Sequence, residues 1–249
     1  MDSGFYAACT ALMARTQALD MVANNLANVS TPGFRAEHDI FRSLLTGSSL
    51  YPMSGLNQAV NNYSVLGNTQ LDFAQGNLQK TGNELDAAIQ GSGFFVVKTA
   101  AGGQVYTRNG NFHISPQGKL VTAQGDLVMG ATGPIDIVGG PVNISPDGTI
   151  SVNGALAGQL KVVDFPPGTA LESVGATYYS APLKSEIPAK DASIQQGSLE
   201  ASNVNPVSAA VELITVQRYA ELMQRALSMF HTDMNQTATQ DLPRIQPNP

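Results

Sequence analysis

Charge is scarce in this 249-residue chain: Asp, Glu, Lys and Arg make up 13% of it, roughly half the share of an average soluble protein. Thirteen basic residues against nineteen acidic ones leave a net charge of −6, so a basic face that could neutralise phosphates is missing and a nucleic-acid role is excluded. Cysteine is nearly absent. Cys9 is the only one, which rules out an intramolecular disulfide and leaves a thiol that acts as a small hydrophobe. No apolar run reaches the roughly 18 residues of a membrane-spanning helix, so membrane insertion is not expected. The N-terminus lacks a cationic segment followed by an unbroken apolar one, so no cleaved secretory signal is expected. Histidines are few, and His38, His113 and His231 stand apart, without metal-ligand spacing. No nucleophile–base pair assembles, and Gly91-Ser92-Gly93 runs into the strand-like Phe94-Phe95-Val96-Val97 where a phosphate loop needs a helix. The expectation is a non-enzyme with no catalytic, cofactor or metal site.

What is present is a symmetrical layout, with helical heptads at both ends and strand-and-turn sequence between. Phe5, Leu12, Leu19 and Leu26 recur every seven residues, with Cys9, Thr16 and Ala23 at the other seam position. This is a helical period with a narrow apolar face, and the small residues would let a partner helix approach. Thr31-Pro32-Gly33 is expected to end the helix. Asn24, Asn25 and Asn28 add amides on adjacent faces of its last turns, able to bond neighbouring backbones without adding charge. Asn28 is also placed to cap the helix in the left-handed conformation that Asn tolerates. At the other end, Asn205-Pro206 opens a second helix, in which Leu213, Val216, Ala220, Met223, Leu227, Phe230 and Met234 alternate spacings of three and four. That spacing drives helix-to-helix association.

Between the helices, the residues from about 36 to 85 are rich in Gly, Asn, Ser and Gln and read as an extended connector with a few strands. Gln104 to Thr107 followed by Asn109-Gly110 and Phe112-His113-Ile114 predicts a hairpin, because Asn-Gly is the strongest two-residue turn signal. Further turns are predicted at Gly125-Asp126 and Asn153-Gly154, and one device is used twice. Ile114-Ser115-Pro116-Gln117-Gly118-Lys119-Leu120 is echoed by Ile144-Ser145-Pro146-Asp147-Gly148-Thr149-Ile150. The predicted fold class is α+β, mainly β: paired N- and C-terminal coiled-coil helices flank an extended connector and a compact β domain. The boundaries are an N-terminal helix over 1–32, connector 33–90, β domain 91–185, return strand 186–203 and C-terminal helix 204–240.

The segment Asn24-Asn25-Leu26-Ala27-Asn28-Val29-Ser30-Thr31-Pro32-Gly33-Phe34-Arg35 resembles the N-terminal signature of bacterial flagellar rod and hook proteins. Gly76 to Asp86, Gly91 to Val97, Tyr106-Thr107-Arg108-Asn109-Gly110-Asn111-Phe112 and Gln196-Gly197-Ser198-Leu199-Glu200-Ala201-Ser202-Asn203 continue the resemblance in order along the chain. Length and the Met1 to Tyr6 start are more similar to rod proteins than to the longer hook and hook-cap relatives. The Val204-Asn205-Pro206-Val207 junction and the compact β body are more similar to the proximal-rod class, while Val216-Gln217-Arg218-Tyr219 has some distal-rod character. The resemblance implies a structural subunit of the basal-body rod that stacks through its terminal helices into the tubular drive shaft for motility. Its partners would be other rod subunits, proximal and distal, and the flagellar export apparatus; its place would be the periplasmic rod, reached without cleavage. The residues expected to carry assembly are Phe5, Leu12, Leu19, Leu26, Asn24, Asn25, Asn28, Leu213, Val216, Met223, Leu227 and Phe230. The alternatives are a distal-rod or other hook–basal-body axial protein, or a secreted β-rich binding module or adhesin, which would have no use for terminal helices.

Overall fold

A computed structural model describes residues 2–42, 65–166, 168–182, 185–189 and 191–240, with side chains from 9 to 38, from 70 to 229 and at 232. The middle of the connector, the tail after Gln240 and the side chains of Phe5, Phe230 and Met234 lie outside the described residues. The fold is α+β and mainly β, with one helix, α1, over Asp2–Ala27 and another, α2, over Pro206–Gln240. Two compact units divide the chain: residues 1–24, 38–69 and 207–249 form one, and residues 25–37 with 70–206 form the other.

The second unit holds the β body. Its main sheet has nine strands and follows the order Glu172–Val174, Tyr178–Ser180, Gln104–Thr107, Phe94–Lys98, Leu127–Val128, Leu120–Thr122, Phe112–Ile114. Val162–Asp164 branches from Phe94–Lys98 and pairs in turn with Ile187–Pro188. Phe94–Lys98 is central because both of its faces are apolar. Successive side chains point to opposite faces of a sheet, so Phe94 and Val96 enter one core with Tyr106, Phe165 and Tyr179. Phe95 enters a second core with Phe112, Leu120, Ile137 and Ile150. Edge-to-face rings fix both sides: Phe95 and Phe112 lie 5.1 Å apart at 77°, and Tyr106 and Phe165 lie 4.8 Å apart at 83°. Such pairs contribute beyond the area they bury.

The duplicated turn is a recurring hairpin. Ser115 N donates to Lys119 O (2.8 Å) and Gly118 N to Ser115 O (2.8 Å), as Ser145 N does to Thr149 O (2.9 Å) and Gly148 N to Ser145 O (2.9 Å). The two glycines sit at φ +76° and +84°, where a side chain is strained. Their carbonyls match as well: Gly118 O accepts from Ile137 N (2.6 Å) and Gly148 O from Leu160 N (2.8 Å).

The two Asn-Gly dipeptides part company. Asn153-Gly154, at φ +52° and +82°, joins Thr149–Val152 to Ala155–Gln159 with Val152 facing Ala155, as a two-residue hairpin turn requires. Asn109-Gly110 does not make the predicted hairpin. Gln104–Thr107 pairs with Phe94–Lys98 and Tyr178–Ser180, whereas Phe112–Ile114 pairs with Leu120–Thr122. Gly110 is there for closeness: a Cβ on it would lie 1.7 Å from Ala87 O, and its own carbonyl accepts from Ala87 N at 3.0 Å.

The return segment closes the body by pairing with the residues before it. Ser193–Gln196 lies antiparallel to Ala87–Gln90, and Ser198–Glu200 to Leu78–Lys80. Gly197 turns between them at φ +68°.

Candidate assembly site

α2 has two apolar stripes on opposite sides. At about 100° per residue, Ala209, Leu213, Val216, Ala220, Met223 and Leu227 share one side, and all are buried or half-buried. Val207, Val211, Ile214, Leu222 and Met229 share the other side and are exposed. Val216 is 7% accessible and Val211 59%, which decides which stripe the single chain has already covered. The sequence-predicted seam of Leu213, Val216, Met223 and Leu227 is therefore the inner stripe. Arg218 and Arg225 interrupt the outer one and are exposed.

On α1 the buried residues are Ala14, Ala18, Val22 and Asn25, spaced four, four and three. Leu12, Leu19 and Leu26 flank this stripe and are half-buried, while Thr16 and Ala23 are exposed. The inward face is thus turned from the predicted heptad seam toward alanines, which present little bulk to whatever covers them. The two helices meet where the Arg15 guanidinium lies 5.4 Å from the centre of the Tyr219 ring, a cation–π contact.

The three asparagines have separate fates. Asn25 is buried and bonds one peptide group twice: its Nδ2 donates to Glu37 O (2.8 Å) and Glu37 N donates to its Oδ1 (3.0 Å). Asn24 is exposed. Asn28 follows the last helical residue, and its Oδ1 accepts from Thr31 Oγ1 at 3.1 Å. It does not adopt the left-handed cap expected of it. Among the described residues only Asn153 is a non-glycine with positive φ, and the reversal falls at Gly33, φ +72°. A Cβ on Gly33 would also lie 2.3 Å from Asn109 N, so this glycine serves both backbone conformation and close approach.

The chain then enters a buried ion cluster that sequence reasoning missed. Glu200, Arg35 and Arg108 are 1%, 2% and 4% accessible. Glu200 Oε1 accepts from Arg35 Nη2 (2.8 Å) and Gly76 N (2.9 Å), and Oε2 accepts from Arg108 Nη1 (3.2 Å). Arg35 Nη1 donates to Ala74 O, its backbone N–H to the Tyr179 hydroxyl at 3.1 Å, and Gly33 N to Glu200 O at 2.7 Å. Arg108 Nη2 donates to Gly91 O at 2.8 Å, and its guanidinium lies 5.2 Å from the Phe94 ring centre. Burial pushes the Arg108 guanidinium down to about 10, with Glu200 opposing the shift and Arg35 adding to it. Burial pushes the Tyr179 phenol up to about 12, only partly offset by Arg35. One carboxylate thus holds four stretches of chain that are far apart in sequence. Just beyond it, Asn203 Oδ1 accepts from Ala36 N (2.7 Å), and Nδ2 donates to Asp72 O (3.0 Å).

A signal for this cluster was present in the low charge of the chain. Arg35 follows Pro-Gly-Phe, Arg108 precedes Asn-Gly, and Glu200 lies between Leu199 and Ala201, each an isolated charge in apolar or turn sequence. Nothing local says that they meet. His113 is exposed on its strand. Among the described residues no group of three or more His, Cys, Asp or Glu is arranged to hold a metal ion, and no helix is long and apolar enough to cross a membrane.

Three segments match described protein families: residues 5–35 the flagella basal body rod protein, 88–152 the flagellar hook protein FlgE/F/G D1 domain, and 195–240 the flagellar basal body rod FlgEFG protein C-terminal. The chain is 36% identical over 227 residues to the flagellar basal-body rod protein FlgF of Mesorhizobium japonicum, covering 89% of this chain and 90% of that one. The chain belongs to the flagellar basal-body rod protein family. Similarity to FlgF of Caulobacter vibrioides is 35% over 98% of this chain and 100% of the relative. To FlgG of Buchnera aphidicola subsp. Acyrthosiphon pisum it is 34% over 88% and 92%. As a family member the chain is a structural subunit of the basal-body rod. The ion cluster takes one residue from each matched segment: Arg35 from the first, Arg108 from the second and Glu200 from the third.

Proposed function

We propose that this rod subunit stacks through its terminal helices, with the outer stripe of α2 as the surface that a neighbouring subunit covers. The observation that carries this is the doubled apolar face of α2, because a helix apolar on two sides is stable in water only when both are covered. The inner stripe is buried within the chain and the outer one is exposed. Of the residues expected to carry assembly, Leu213, Val216, Met223 and Leu227 then hold the subunit together, while Val211, Ile214 and Leu222, which were not among them, join it to the next. The part played is mechanical, a repeated element of a drive shaft, with no chemical turnover. Other rod subunits and the flagellar export apparatus are the partners, and the route runs to the periplasmic rod without cleavage of a leader. The proximal-rod class is the first reading, supported by the FlgF relatives. The distal-rod class is the second, supported by FlgG relatives at nearly the same identity.

The test is incorporation of Val211→Asp/Leu222→Asp protein into purified basal bodies, in cells without the natural copy and beside Gln224→Asp, an exposed control off the stripe. The residues three and four positions from 211 are Val207, Ser208, Ile214 and Thr215, so a carboxylate there would be buried without a partner at a cost of several kcal/mol. The double variant is expected to be folded and exported yet absent from the rod, with swimming lost. Incorporation equal to the control would remove the outer stripe from the assembly.

A further inference from the structure

The outer stripe of α2 is not purely apolar, and its charges indicate what covers it. Arg218 and Arg225 lie along it, both exposed, with Glu221 at its flank. Among the described residues, neither arginine has an ion-pair partner. On α1, the side turned away from the buried Ala14, Ala18 and Val22 presents Met13, Asp20, Ala23 and Ala27, all exposed. Among the residues with described side chains, Asp20 is the only charge on that face, and it likewise has no ion-pair partner there. One face is thus apolar and basic, and the other flat and acidic at Asp20, with a flexible Met13, a residue type that adapts to irregular surfaces. The two faces are complementary in sign and in relief, and they belong to different helices.

We infer that the outer stripe of α2 is covered by the outer face of α1 from a second copy of this chain, with Asp20 set against Arg218. This rests on the stacking reading above and names its partner. Two different patches joined head to tail do not close on themselves at a two-fold axis. Such a contact is heterologous, and repeated it generates a ring or an open helical array, the second being the form a shaft needs. The charge pair supplies register and partner choice more than affinity, while the apolar stripe supplies the burial.

The test uses two differently tagged full-length copies co-expressed in a Cys9→Ala background, one carrying Asp20→Cys and the other Arg218→Cys, with oxidation of isolated basal bodies. A cross-linked species carrying both tags is expected. Its absence, or cross-links only to other rod proteins, would overturn the inference. A second arm reverses the charges. Asp20→Arg and Arg218→Asp are each expected to lower incorporation roughly tenfold or more, and the combination to recover most of it. Failure of the combination to recover anything also overturns the pairing. If Val211→Asp/Leu222→Asp blocks incorporation while the cross-link and the recovery are absent, helix stacking stands and the second-copy contact falls. If that variant incorporates normally, both fall.

Discussion

The β body and the terminal helices use apolar residues in opposite ways. In the body, Phe95, Phe112, Ile89 and Ile150 are fully buried, and alternation along Phe94–Lys98 fills a core on each side of the sheet. In α2, Val207, Val211, Leu222 and Met229 are each more than half exposed, on a helix whose inner side is already covered. Burial of a full aliphatic side chain contributes roughly 1.5–3 kcal/mol, and α2 has several such contributions still open to a neighbour. The large apolar side chains of the body's two cores are thus buried within one chain, whereas a whole stripe of them on α2 is left exposed.

The comparison breaks most severely at Glu200. Removing one partner of a buried ion pair costs about 3–5 kcal/mol because the remaining charges stay buried and unpaired. Here Arg35 and Arg108 would both be left. Glu200→Ala is expected to lower the stability of the body by at least that range in urea denaturation, whereas Val211→Asp/Leu222→Asp should leave the urea midpoint nearly unchanged. Equal losses for the two would mean that body and helices do not differ in self-sufficiency.

The two Asn-Gly pairs sharpen the same contrast inside the body. Gly110→Ala places a Cβ against the Ala87 carbonyl, and Gly154→Ala meets open space at φ +82°. The first is expected to cost several kcal/mol and the second about 1 kcal/mol, the strain of a left-handed alanine, as read from thermal melting of the two proteins. Similar melting points would show that Gly110 is not held close to Ala87.

A smaller effect is expected at alkaline pH. Tyr179 titrates at about 12 in the folded protein against 10.0 for the free phenol. A pKa raised on folding gives stability that is complete below the unfolded value and is lost as pH climbs through the folded one. The contribution, roughly 3 kcal/mol at most, therefore declines between about pH 10 and 12. Tyr179→Phe protein should lose less stability between pH 9 and 11.5 than the natural sequence does, measured by urea denaturation at each pH. An identical decline would place the alkaline sensitivity elsewhere.

The helices, the paired Ser-Pro hairpins and the central buried strand were legible because each rests on a local period or turn preference. The seam of α2 was legible as a stripe, but not that the single chain buries Val216 and half-buries Leu213 while leaving Val211 and Ile214 exposed on the other side. The Asn109-Gly110 hairpin failed because a dipeptide preference is worth little beside the sheet pairings that claim the strands around it. Asn28 failed as a left-handed cap because the reversal falls at Gly33, five residues later.

By itself the sequence determined the family, the two helices with their apolar periodicity, the strand at Phe94 to Val97, and the turn at Asn153-Gly154. All of these follow from neighbours in the chain, where hydrophobic spacing and backbone preference act directly. Only the tertiary structure decided that Arg35, Arg108 and Glu200 meet, that Gly110 serves a close approach, and which side of α2 is left outward. Those outcomes depend on which distant segments come together, and the chain carries no local mark of its partners. An isolated arginine in a turn reads the same whether it ends in solvent or against a buried carboxylate.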